Sequence, residues 1–89
     1  MKLTKDTLEE YINSKNNISI LFDADWNRKK ITIPDGIEVG EIDVDKEELW
    51  DFCEKCGVVN IPAVTYFVNG KRIRTIIGFH DISKNNFKV

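Results

Sequence analysis

Cys53 and Cys56 stand in a C-x-x-C, the spacing of a dithiol that exchanges with disulfides. Such exchange needs a thiolate, which a helix N-terminus or a nearby cation favours. Here the pair falls in the last turns of a predicted helix, where the dipole opposes negative charge. Asp51 and Glu54 add further negative charge. On a regular helix the Cβ atoms of i and i+3 lie about 5–6 Å apart, beyond the span of about 3.5–4.5 Å that a disulfide bridges. Two free, inward-facing thiols are therefore the favoured expectation, with Cys53 and Cys56 as a redox pair the rival. Together with His80, the single histidine, they fall short of the four ligands of structural zinc. No metal and no cofactor is expected, and His80 reads as a surface residue.

A second group of notable residues surrounds a tryptophan and a proline. Phe22-Asp23-Ala24-Asp25-Trp26 ends one predicted strand, and Asn27-Arg28-Lys29-Lys30 follows it. Val59-Asn60-Ile61-Pro62-Ala63-Val64 opens another, and Ile77-Gly78-Phe79 closes the last. By base rate alone, only about 5–6% of X–Pro bonds in folded proteins are cis, so Pro62 could simply start a strand. Trp50 lies at the rim of a helical apolar stripe. It is expected half-buried in the core, with an interface anchor as the alternative.

The elements that must position these residues are legible from pattern. Thr4 caps a first helix, Leu3 and Leu8 have the spacing of a hydrophobic staple, and Leu8, Tyr11 and Ile12 form its stripe. A strand over Ile18 to Phe22 puts Ile18, Ile20 and Phe22 on one face and Ser19, Leu21 and Asp23 on the other. A second strand spans Val39 to Val44. Asp45, with Glu48 three residues on, predicts a capped helix whose stripe is Leu49, Phe52, Cys53 and Cys56, stopped by Gly57. Val64 to Val68 and Lys71 to Ile77 flank Asn69-Gly70, a strong hairpin signal. The tail from Asp81 to Val89 holds at most a short helix. Residues 27 to 36 show no helical period.

Composition sets the class. Eighty-nine residues, 42% hydrophobic and 31% charged, suit one small domain over residues 1–89. A formal net charge of −2 argues against general nucleic-acid binding, and no apolar run is long enough to span a bilayer. Without a signal-peptide pattern, a cytoplasmic location is the default expectation. The lysine, asparagine and isoleucine usage would suit a viral or mobile-element protein. Arg28-Lys29-Lys30 and Lys71-Arg72 with Arg74 read as solvated surface.

The motifs around Trp26, Pro62, Asn69-Gly70 and Gly78 resemble the thioredoxin-like family, most sharply from Val39 to Phe79. The resemblance implies an α/β fold: a mixed four-stranded sheet with two helices, the first and third of the family, on one face. The family's second helix would be missing or replaced by a loop, and its C-terminal helix shortened. Aligned on Trp26, the family's two reactive cysteines fall on Asn27 and Lys30, and its buried acid on Leu21. The resemblance also implies a cis Pro62 and a groove for extended partner segments around Trp26, Asn27, Ile61, Pro62, Gly78 and Phe79. The alternation of the first two strands suggests that the thinned face is partly solvated. Ile31, Ile33 and Ile37 would cross it as a strap, or a partner would cover it. The expected function is protein–protein binding without redox chemistry, as an adaptor, inhibitor or small subunit, with homo-oligomers allowed. A thiol-disulfide oxidoreductase using Cys53 and Cys56, or a degenerate thioredoxin remnant, is the alternative.

Overall fold

The computed structural model describes residues 1–87. Helix α1 (Lys5–Ile12) opens at a capping box in which Thr7 N–H donates to Thr4 Oγ1 and Thr4 N–H donates to Thr7 Oγ1. Strands β1 (Asn17–Asp23), β2 (Gly40–Asp43), β3 (Ala63–Val68) and β4 (Lys71–Ile77) form one sheet in the order β2-β1-β3-β4. β1 runs parallel to β2 and antiparallel to β3, and β3 pairs antiparallel with β4, so the sheet is mixed. The hairpin turns at Asn69-Gly70, both with positive φ, as the sequence pattern requires. A single 3-10 turn, Glu47–Leu49, leads into helix α2 (Trp50–Lys55), and helix α3 (Phe79–Asn85) ends at the left-handed Asn86.

One face of the sheet presents Ile18, Ile20, Phe22, Ile42, Ala63 and Phe67 to helices α1 and α2. α1 contributes Tyr11 to this core, and α2 with its leading turn contributes Leu49, Cys53 and Cys56. The two helices thus share one face, and residues 24–39 carry no helix. The rings of Phe22, Phe52 and Phe67 stack in series, with centroids 5.9 and 6.1 Å apart. Thr75 Oγ1 donates to the Cys56 carbonyl and bonds Thr65 Oγ1, which ties β4 to the end of α2.

The opposite face is the expected half-solvated sheet only in part: Asp23, Glu41 and Asp43 stay partly exposed. Ser19 and Leu21 are both buried, and Leu21 joins Val39, Val64, Tyr66, Ile82 and Phe87 in a second core. Ile31 and Ile33 of the β1–β2 connection pack against it, whereas Ile37 is exposed. The strap and α3 therefore cover much of the face together. α3 also begins at Phe79, directly after Gly78, two residues before the expected start. Lys88 and Val89 of the expected tail helix lie outside the described residues.

Two local expectations are corrected. Asp45 does not cap the helix: the 3-10 turn follows Lys46, which makes no side-chain cap bond, and the Asp45 carboxylate accepts a bond from Trp26 instead. Trp50 is not a half-buried core residue. It is exposed, held by an Nε1–H bond to the Val44 carbonyl at 2.9 Å. The N-terminus also adds an unforeseen bridge, Lys2 against Glu41, along the free edge of β2. Among the described residues no helix is long and apolar enough to cross a membrane.

Candidate functional site

The end of β1 places Trp26 in the open. Its ring is 66% exposed, and its Nε1–H donates to both carboxylate oxygens of Asp45, at 3.1 and 3.3 Å. This bond couples the loop after β1 to the loop after β2, which are neighbours because the two strands are parallel. Trp50 rises from the start of α2, and Val58 to Ile61 return toward β3. Between them lies a cleft of about 370 Å³, walled by Trp26, Trp50, Val59 and Ile61, with Val44 and Cys53 also lining it.

Of the six residues expected to form one groove, Trp26 and Ile61 line this cleft, and Pro62 and Gly78 adjoin it through Ile61 and a mutual hydrogen bond. The Ile61–Pro62 peptide bond is cis, and Pro62 itself is buried, its carbonyl accepting from Gly78 N–H at 2.9 Å. Phe79 faces a different depression, shared with Thr32, Pro34 and Ile82, where the Lys29 ammonium lies 5.6 Å from its ring centroid. Asn27 turns back, donating from Nδ2 to Asp23 Oδ1 at 2.8 Å. Lys30 donates to the Ala24 carbonyl and lies 3.9 Å from the Asp23 carboxylate. Asn27 and Lys30 thus belong to a local polar knot on Asp23, and no helix starts there.

Cys53 and Cys56 are free and buried, as the inward stripe required. Burial raises the Cys53 thiol above its usual range, and burial pushes Cys56 up to about 11 despite a hydrogen bond with Thr65 and the nearby Arg72. Cys53 is the more accessible of the two in function, because it lines the cleft. Sequence reasoning missed Trp50 and Val59 as cleft residues. The apolar pair Val58-Val59, just ahead of Ile61-Pro62, was the available signal.

No family profile and no curated protein matches the chain. Solved structures do. A thioredoxin from Halobacterium salinarum is similar with a TM-score of 0.75 at 19% identity, over 97% of this chain and 83% of that one. Mitochondrial thioredoxin 3 from Saccharomyces cerevisiae, in its oxidised form, gives 0.72 at 24% identity over 96% and 89%. A protein described as a putative oxidoreductase with a thioredoxin fold gives 0.75 at 20% identity over 94% and 87%. The chain has the thioredoxin fold, in a compact form.

Proposed function

We propose that this chain is a thioredoxin-fold binding protein that captures an extended segment of another protein without exchanging disulfides. The observation that carries the reading is the open apolar cleft at Trp26 and Ile61, beside which Asn27 and Lys30 are engaged with Asp23 and Ala24. Neither side chain can form a mixed disulfide. An exposed indole fixed by a carboxylate is a preorganised anchor, and aromatic anchors of this kind dominate binding energy. Main-chain pairing with pockets for alternate side chains is the general mode for an extended segment. An adaptor, an inhibitor or a small subunit would use such a cleft equally well. Capture of interactors from the native cell tests the reading: Trp26→Ala should weaken recovery of a specific partner about tenfold or more. Phe79→Ala, in a separate depression, should leave it unchanged. Recovery indifferent to Trp26→Ala would sink the cleft as the binding surface.

One observation favours a second reading, since Cys53 lines the cleft. In that reading the Cys53 thiolate attacks a substrate disulfide and forms a mixed disulfide, releasing one substrate thiolate. Cys56 then displaces the second substrate thiolate, leaving the protein oxidised and the substrate reduced. The raised thiol pKa values oppose both attacks at neutral pH. Insulin reduction driven by dithiothreitol separates the readings. Binding without exchange predicts a rate equal to dithiothreitol alone, while exchange predicts catalysis that Cys53→Ser abolishes.

A further inference from the structure

The cleft between the two tryptophans carries a charge bias as well as an apolar lining. Its most prominent side chains, Trp26, Trp50 and Val59, are 66%, 54% and 85% exposed. Around them stand carboxylates. Asp45 holds the Trp26 indole and Glu54 lines the cleft one turn after Trp50, while Glu47 lies outside the lining, in the 3-10 turn that leads into α2. From Asp43 to Glu54 the chain has six acidic residues (Asp43, Asp45, Glu47, Glu48, Asp51 and Glu54) against Lys46 alone. The ion pairs among the described residues are Met1–Glu41, Lys15–Glu38 and Lys30–Asp23, so none of the six is neutralised by one. Two cations, Lys29 over Phe79 and Arg74 over the Tyr66 ring, stack on aromatic rings outside the cleft. Exposed Lys55 directly follows Glu54 and does not line the cleft.

Resting on the binding reading above, we infer that the occupant is an extended segment of a partner protein in which an apolar side chain is flanked by lysine or arginine. The apolar group would enter between the indoles, where it leaves water. A flanking guanidinium can stack on an exposed indole face and donate to the Glu54 carboxylate that lines the cleft. An acidic segment meets the like charges of Glu54 and Asp45, within the acidic stretch from Asp43 to Glu54, and is disfavoured. The rim thus supplies specificity and association rate more than affinity. Lys71-Arg72-Ile73-Arg74 of a second copy has related chemistry, but it is held within β4 and is less free to enter a cleft.

The test uses the full chain and its own fluorescence, because Trp26 and Trp50 are its two tryptophans and both line the cleft. The probes are four capped octapeptides that alternate Arg-Leu, Gln-Leu, Glu-Leu and Arg-Ser. Arg-Leu should shift the emission saturably and bind about tenfold tighter than Gln-Leu at low ionic strength. Glu-Leu and Arg-Ser should bind weakest. The Arg-Leu advantage should shrink toward 0.5 M salt, as screening shortens the reach of the rim. The double variant Glu47→Gln with Glu54→Gln changes exposed side chains only and should erase most of the preference. Equal affinity for the three leucine peptides, or a preference kept in the double variant, would overturn the basic-segment assignment while leaving the binding reading intact. Arg-Ser binding as tightly as Arg-Leu would remove the apolar anchor. Self-association that Arg-Leu competes away would make a second copy the occupant and overturn the assignment to a partner. Failure of every peptide to bind would overturn this inference, while the binding reading stands or falls with the Trp26→Ala capture.

Discussion

Cys56 shows most clearly how a single residue is governed by its surroundings. Its thiol is 2% exposed, and burial raises its pKa from 9.0 to about 11. The native state therefore keeps the proton while the unfolded chain gives it up near pH 9. The associated stability is fully present below pH 9 and is lost as the pH climbs from 9 toward 11. A shift of about two units corresponds to about 3 kcal/mol over that window. Urea midpoints at pH 8, 9.5 and 11 should thus fall more steeply for the native sequence than for Cys56→Ala. Tyr11 and Tyr66, also raised by burial, contribute to both. At pH 8 the folded protein should react with iodoacetamide far more slowly than the urea-unfolded chain, by about 100-fold at Cys56 from thiolate fraction alone. The burial of both thiols was legible in the sequence, because one face of a helix repeats every three or four residues. The role of Asp45 was not. Its local pattern matched a helix cap, but a competing donor, the Trp26 indole, reached it from nineteen residues away.

At the scale of elements, the tightest constraint lies where α1 crosses β2. A Cβ added at Gly40 would stand 2.6 Å from Tyr11 Cε2 and 2.9 Å from Leu3 Cδ1, and both side chains are buried. Gly40→Ala should therefore destabilise the protein by about 1–3 kcal/mol through overpacking. Thermal unfolding should register a drop of about 4–8 °C per kcal/mol in a domain of this size. An unchanged melting temperature would mean that α1 can move away from the sheet. The strands themselves were readable to within a residue or two, since alternation is a local property. The connection from β1 to β2 was readable only in part. Ile31 and Ile33 pack as a strap, but Ile37 does not, and no period in residues 27–36 distinguishes them.

For the molecule as a whole, the second core decides whether so small a chain holds together. A domain of this length has a net stability of about 4–13 kcal/mol. Ile82, fully buried against Leu21, Val64 and Tyr66, joins α3 to the sheet. Ile82→Ala should cost about 2–5 kcal/mol in urea titrations, whereas Lys84→Ala, exposed on the same short helix, should stay within about 0.5 kcal/mol. Equal effects would mean that α3 adds little to the fold. The sequence by itself determined the order of elements and the inward cysteines, which follow from periods and turn residues that act over a few positions. The mixed four-stranded sheet and the shared face of α1 and α2 were expected only through the resemblance to the thioredoxin-like family. Only the tertiary structure decided that the strap and α3 cover much of the second face, that Phe79 faces a depression other than the cleft, and that Trp26 and Trp50 line one cleft. Those outcomes depend on which distant segments meet when β1 and β2 align in parallel, and no local pattern encodes that meeting.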